Sequence, residues 1–276
     1  MPTKTTAMQL IAMGLITTLA NADLIGVNYS TGDVFSIDTS TAQSTRIGQT
    51  STGIMGIDRD TSGRIMAITD GIVGKLSVLN EQSWELETVG NLGAGFTSEG
   101  GLAVNDIGEL FAGTRLAGGG RAIFQIDPDT GSMMQSITLS RSSLDLNGLQ
   151  FRNDGVLVGI DAIANELVSI DPLSGEMTTI TSLSSTNPGA VGGLAIDNGV
   201  GYFVTAGTVS GSNGDNSLYS IDLYTGQQQL IGSLGAEAGS GFGIGALTGP
   251  AVPTPTSSLL LCMAGACSMK RRSRTR

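Results

Sequence analysis

Three consecutive stretches of the chain repeat one order of residue types. From Gly101 the sequence reads GLAVNDIGELFAGTRLAGGGRAIFQIDPDTGSMMQSITL. From Gly148 it reads GLQFRNDGVLVGIDAIANELVSIDPLSGEMTTITSL, and from Gly193 GLAIDNGVGYFVTAGTVSGSNGDNSLYSIDLYTGQQQLIGSL. Each runs Gly-Leu-x-apolar, a tight Asn/Asp/Gly turn, an apolar run, a variable polar loop, an Ile-Asp run, a Thr/Ser-Gly turn and a last run. Two markers give the period. The Asp of the Ile-Asp turn recurs at Asp38, Asn80, Asp127, Asp171 and Asp222, in steps of 42, 47, 44 and 51. The apolar residue opening the first run recurs at Met55, Leu102, Leu149 and Leu194, in steps of 47, 47 and 45. The long last Asp step has its cause in the loop-like insertion GTVSGSNGD at 207–215.

A repeat of this length holding four short apolar runs is what one β-propeller blade requires. The first unit lacks its opening run, since Leu24–Asn28, Val34–Asp38 and Ser44–Ile47 supply only three. Gly243–Leu247 matches the missing run and then stops. A C-terminal strand completing the N-terminal blade would close the ring and remove two exposed edges. The expectation is an all-β chain: a five-bladed propeller of four-stranded antiparallel blades spanning residues 23–250. Sustained helical spacing is absent from the middle of the chain, and 41 glycines fit many tight turns.

Charge narrows the partners. Of the 14 Lys and Arg residues, only eight lie between Asp23 and Ala251, against all 24 Asp and Glu, a net charge of −16. So acidic a domain is repelled by nucleic acid and by anionic membranes.

The ends differ from the middle. Residues 1–22 carry one Lys, an apolar stretch from Ala7 to Leu19, and Ala20-Asn21-Ala22, the layout of a secretory signal peptide cleaved after Ala22. Residues 251–276 hold Val252-Pro253-Thr254-Pro255, then the apolar SSLLLCMAGACSM, then a basic Lys270–Arg276. This tail resembles the PEP-CTERM sorting signal of exosortase-processed bacterial proteins, with Thr254 where that motif usually has Glu. This stretch of thirteen largely apolar residues reaches roughly 20 Å as a helix, short of the roughly 30 Å hydrocarbon core. They fit a transient membrane anchor, with the basic cluster on the cytoplasmic side. The resemblance implies an exosortase-like protease as partner, Val252, Pro253 and Pro255 as the processing motif, and a cell-surface or matrix destination alongside exopolysaccharide. Both cysteines, Cys262 and Cys267, fall in the tail, so the propeller has no disulfide available to it.

Several residue groups look like chemistry. The turn aspartates accept backbone N–H groups two and three residues on, and they sit on separate blades, which gives them a structural role. Asp58-Arg59-Asp60-Thr61-Ser62-Gly63 opens like a calcium loop, but Thr69 stands where that loop needs a carboxylate, so a hairpin turn is the preferred reading and no cofactor is expected. Trp84, the one Trp, follows a turn and is expected to cover a sheet edge. Propeller ligands bind at a channel mouth, where the loops offer Glu99, Arg115, Arg141, Asp145, Asn147 and Asp161 as contacts. These are read as solvated loop residues.

Three functions are open. The first is a non-catalytic surface or matrix propeller that binds polysaccharide or another surface protein. The second is a glycosidase or lyase using mouth carboxylates, with Glu99 and Asp145 as the pair to test. The third is a lactonase-type calcium site at Glu99 and Asn147. The absence of His and the scarcity of aromatic residues favour the first.

Overall fold

The computed structural model describes residues 23–69, 74–93, 101–115, 121–183, 191–205, 216–238 and 243–250. The signal-peptide and sorting-tail residues, and Glu99, lie outside them. Twenty strands form five four-stranded antiparallel sheets. The first blade takes β1 (Leu24–Asn28), β2 (Asp33–Ile37) and β3 (Ser44–Gln49), and receives β20 (Ile244–Thr248) as its inner strand. The second is β4 (Ile54–Arg59), β5 (Ile65–Thr69), β6 (Lys75–Leu79) and β7 (Leu86–Asn91). The third is β8 (Leu102–Val104), β9 (Leu110–Arg115), β10 (Arg121–Ile126) and β11 (Met133–Thr138). The fourth is β12 (Leu146–Phe151), β13 (Leu157–Asp161), β14 (Glu166–Ile170) and β15 (Met177–Ser182). The fifth is β16 (Val191–Asp197), β17 (Val200–Thr205), β18 (Ser217–Ile221) and β19 (Gln228–Ser233).

This is the five-bladed β-propeller that the repeat predicts, closed where the repeat is incomplete. Strand β20 pairs antiparallel with β1, matching Gly26 to Leu247 and Ile25 to Thr248. The two ends of the described chain are thereby joined in one sheet: β1 gains a partner on each side, and β20 takes the inner position beside the axis. The inner strands β20, β4, β8, β12 and β16 contact one another in that cyclic order around the axis.

Burial follows from position in the blade. The second strand of the second blade, β5, is buried along its whole length, whereas outer strands such as β11 and β19 are mostly exposed. That gradient explains why inner strands are apolar and outer strands are rich in Ser, Thr and Gln. The core is divided into five clusters, one between each pair of adjacent blades. Phe35, Val204 and Leu218 join the fifth blade to the first, and Ile123, Leu149 and Val168 join the third to the fourth. Each blade thus buries both faces, which a sheet of mixed polarity along its radius can do only in a closed ring.

The turns between third and fourth strands follow the expected chemistry. Asp127 Oδ1 accepts the Asp129 and Thr130 N–H groups, Asp222 Oδ1 those of Tyr224 and Thr225, and Asn80 Oδ1 those of Gln82 and Ser83. Each turn ends on a left-handed residue that packs against the preceding blade's outer strand. Gly131 meets Gly90, Gly175 meets Thr138, and Gly226 meets Thr181. In the second blade that left-handed residue is Trp84, at φ 59°, and its indole covers Gly48 of β3. Trp84 therefore covers a sheet edge, as its place after the turn predicts.

Candidate functional site

The five blades leave two mouths on the axis. One carries the longer loops, between second and third strands and between blades. The other carries the tight turns between first and second strands.

On the loop side, the last residue of each second strand is polar in every blade: Asn28, Thr69, Arg115, Asp161 and Thr205. Asn28, Thr69, Asp161 and Thr205 are buried. Asp161 corrects the expectation of a solvated loop residue, since it ends β13 with 0% exposure. Its Oδ1 accepts the Ile163 and Ala164 N–H groups, both at 3.1 Å, and the Asp145 N–H at 3.4 Å. Strand β13 carries Asp161 inward because the turn to β14 needs an acceptor there, and Asn28 Oδ1 serves the Ser30 and Thr31 N–H groups in the same way. Asn28 also donates from Nδ2 to the Ala238 carbonyl of the loop leading to β20.

Arg141 lies over Asp161. Its Nη1 donates to Glu166 Oε2 at 2.7 Å and reaches Asp161 Oδ2 at 3.5 Å, while Nη2 donates to Thr179 Oγ1 at 2.5 Å. Thr179 in turn donates to Glu166 at 2.8 Å. Glu166 and Thr179 complete this cluster without having been flagged by the sequence, because neither lies in a loop. Here two carboxylates meet, the condition set for a glycosidase. Their environment is the opposite of what a general acid requires. The Arg141 guanidinium, then the Thr179 hydroxyl, hold the Glu166 carboxyl below its usual range, and Asp161 is closed off from solvent. The arrangement anchors the 139–145 segment to the fourth blade.

The remaining expected contacts are dispersed. Asp145 is half-buried, and its carbonyl accepts the Ala162 N–H at 2.7 Å. Asn147 is half-buried in β12, beside an irregularity between Leu146 and Leu149. Arg115 ends β9, paired with Arg121 across the hairpin. The Glu99–Asp145 pair and the Glu99–Asn147 calcium site involve a residue outside those described.

Between the mouths the axis is packed shut. A β-carbon on Gly101 would stand 2.3 Å from the Leu149 nitrogen, one on Gly148 2.6 Å from the Leu194 nitrogen, and one on Gly56 2.6 Å from the Leu102 nitrogen. Glycine at these three positions, followed by Ile57, Leu102 and Leu149, is thus what lets neighbouring inner strands touch. The space left at this level is about 10 Å³, room for no more than about one water.

Below that plug, on the turn side, Asp58 points from β4 toward the neighbouring blades. Its Oδ2 accepts the Val104 N–H at 2.8 Å, and its Oδ1 accepts the Arg59 N–H at 2.8 Å and faces the Thr248 hydroxyl at 3.5 Å. Burial pushes its carboxyl up to about 6, against the hydrogen bonds from Val104, Gln150, Arg59 and Thr248 that favour the ionised form. The calcium-loop resemblance therefore dissolves into two separate jobs. Asp58 ties blades together, while Asp60 accepts the Ser62 and Arg64 N–H groups of its own hairpin turn. Among the described residues, no three His, Cys, Asp or Glu side chains converge as metal ligands.

A cavity of about 270 Å³ opens beside these inner-strand ends, between Arg59, Val104 and Phe151. Its two guanidinium groups are already engaged. Arg59 binds Glu81 through both Nη atoms and the Gly249 carbonyl through Nε, and Arg152 binds Asp154 and the Leu223 carbonyl.

The geometry defines a five-bladed β-propeller with a sealed axis, in which Asp58, Asp161 and the turn residues Asp127 and Asp222 hold turns and blades. No protein-family model matches the chain, and no curated protein matches it in sequence. Solved structures match its fold. A protein of unknown function from Bacteroides caccae is similar with TM-score 0.50 and 11% identity, over 83% of this chain and 99% of that one. A protein of unknown function from Bacteroides thetaiotaomicron VPI-5482 is similar with TM-score 0.50 and 15% identity, over 76% of this chain. The match spans 55% of that longer chain. A streptogramin B lyase structure is similar with TM-score 0.46 and 16% identity, over 82% of this chain and 72% of the lyase. Among the described residues, no helix is long and apolar enough to cross a membrane.

Proposed function

We propose that this chain is a non-catalytic, ligand-binding or matrix propeller, exported and sorted to the cell surface in the setting of exopolysaccharide. The observation that carries the non-catalytic part is the Arg141 cluster. The two carboxylates that meet on the loop side, Asp161 and Glu166, are bound by one guanidinium nitrogen, with Asp161 buried and Glu166 held ionised. Glu166 is thus poorly suited to deliver a proton, and Asp161 lacks the access to substrate that glycoside cleavage requires. The export part rests on the leader ending at Ala22 and on the Val252-Pro253-Thr254-Pro255 tail with its basic end, which resembles an exosortase signal.

The test is to incubate the full-length protein with a panel of polysaccharides and to measure retention and reducing-end release together. Retention without release is the expected result. Release that Glu166→Gln or Asp161→Asn abolishes would establish an enzyme instead. Intact mass of the exported protein tests the sorting part, and a mature species still carrying Lys270–Arg276 would refute it.

A further inference from the structure

The turn between third and fourth strands is the same in every blade, yet the residue two beyond its Asp or Asn differs around the ring. It is Ser40, Gln82, Asp129 and Leu173 in four blades, and Tyr224 in the fifth. Tyr224 is 58% exposed. Its backbone N–H is held by Asp222 Oδ1 at 2.8 Å, and the Arg152 guanidinium carbon lies 4.2 Å from its ring centroid. Arg152 is itself fixed, since Nη1 donates to the Leu223 carbonyl and Nε and Nη2 donate to Asp154. The tyrosine ring is therefore set in place before any ligand arrives, which lowers the ordering cost of binding.

Beside this ring lies a concavity of about 480 Å³, lined by Val200, Ser220, Asp222, Gln227 and Gln229 among others. Three consecutive glutamines, at 227–229, carry the chain from the turn into β19. The corresponding positions of the other blades hold Gln43-Ser44-Thr45, Glu85-Leu86-Glu87, Ser132-Met133-Met134 and Glu176-Met177-Thr178. Gln228 donates to the Ser182 and Gly226 carbonyls. The side-chain amides of Gln227 and Gln229 have no protein partner among the described residues, and both residues are exposed or half-exposed beside the cavity.

These groups select one kind of ligand. A flat aromatic face takes the C–H face of a ring, and a primary amide both donates and accepts, which suits hydroxyl groups. The place offers a ligand no free cation: Arg152 is matched by Asp154, and the Asp222 carboxylate is engaged by the N–H groups of its turn, which hold it below its usual range. The net charge of −16 between Asp23 and Ala251 opposes a polyanion. We infer that this concavity binds one or two rings of a neutral saccharide chain, with Tyr224 as the stacking platform and Gln227 and Gln229 as hydroxyl partners. The inference rests on the binding reading above and gives it a location.

The test titrates full-length protein with cellohexaose, laminarihexaose and chitohexaose by calorimetry, with polygalacturonate as the anionic comparison. At least one neutral hexasaccharide binds in preference to polygalacturonate. Tyr224→Ala weakens that binding about tenfold, Tyr224→Phe preserves it, and Gln227→Ala with Gln229→Ala weakens it several-fold. Far-UV circular dichroism checks that each variant is folded. Failure of folded wild type to bind any of the three, or equal affinity in Tyr224→Ala, would overturn the assignment. Unaltered affinity in Tyr224→Ala leaves the binding reading standing and moves the site elsewhere, whereas cleavage of the hexasaccharide refutes the binding reading itself.

Discussion

Asp58 Oδ2 accepts the backbone N–H of Val104 at 2.8 Å, so a carboxylate on the inner strand of one blade is bonded to the inner strand of the next. The two residues are 46 apart in sequence, one full repeat. Through Thr248 the same carboxylate also faces the strand that closes the ring. Burial of this carboxylate, only partly offset by these hydrogen bonds, makes ring stability depend on pH. The Asp58 carboxyl has its ordinary value of 3.8 in the unfolded chain and about 6 in the folded one. Below pH 4 both states are protonated and Asp58 carries no penalty. As pH rises toward 6 the unfolded chain ionises first, so stability falls, and above 6 the full cost is present. The loss is on the order of 3 kcal/mol. Urea unfolding of wild type and Asp58→Asn at pH 4.5 and pH 7.5 checks this. The difference between the two proteins should move in favour of the Asn variant at the higher pH, and a constant difference would contradict it.

The sealed axis can be tested at Gly101. A β-carbon there meets backbone of the next inner strand at 2.3 Å, and backbone cannot step aside as a flexible side chain can. Gly101→Ala should cost about 3 kcal/mol or more, or prevent folding. Gly63→Ala is the comparison, because its φ of 89° is strained but nothing lies within 4 Å of the added carbon. It should cost about 1 kcal/mol. Equal costs in chemical denaturation would mean that the inner strands are not in contact.

Closure depends on β20. A chain ending at residue 242 leaves β1 without its inner partner and exposes the buried Leu24, Phe35 and Ala195, which pack against Ile244 and Leu247. Such a chain should lose cooperative unfolding. Melting within about two degrees of the longer chain would show that β20 does not hold the ring.

Arg141 bridges Asp161 and Glu166 through one guanidinium nitrogen. Arg141→Ala strands a carboxylate with 0% exposure and should destabilise the protein by about 2–3 kcal/mol. Arg141→Lys should recover only part of this, because an ammonium cannot hold Thr179 and both carboxylates in one plane. Full recovery by Lys would mean that charge alone matters at this position.

Much of the fold is legible in the sequence because a blade is a local object. Its strands are adjacent in the chain, its turns are set by Asp and Gly within five residues, and its period survives insertions such as 207–215. The missing first run at Leu24 and the orphan run at Gly243 even show where the ring closes. The site is less legible. Asp161 reads as a loop residue and is a buried strand end, because its burial depends on the 139–145 segment folding across it. Asp58 reads as part of a hairpin turn with a passing likeness to a calcium loop, because spacing within one blade cannot show a carboxylate turned toward another.

The sequence by itself determined the number of blades, the order of strands within each, and the turn chemistry, all of which act over a few residues. Only the tertiary structure decided which side chains meet across blades: Asp58 with Thr248, 190 residues away, and Arg152 with the Leu223–Tyr224 turn, 71 residues away. The physical reason is that a repeat encodes each blade's own hydrogen bonds, whereas contacts between blades arise only when the ring closes and brings equivalent positions face to face.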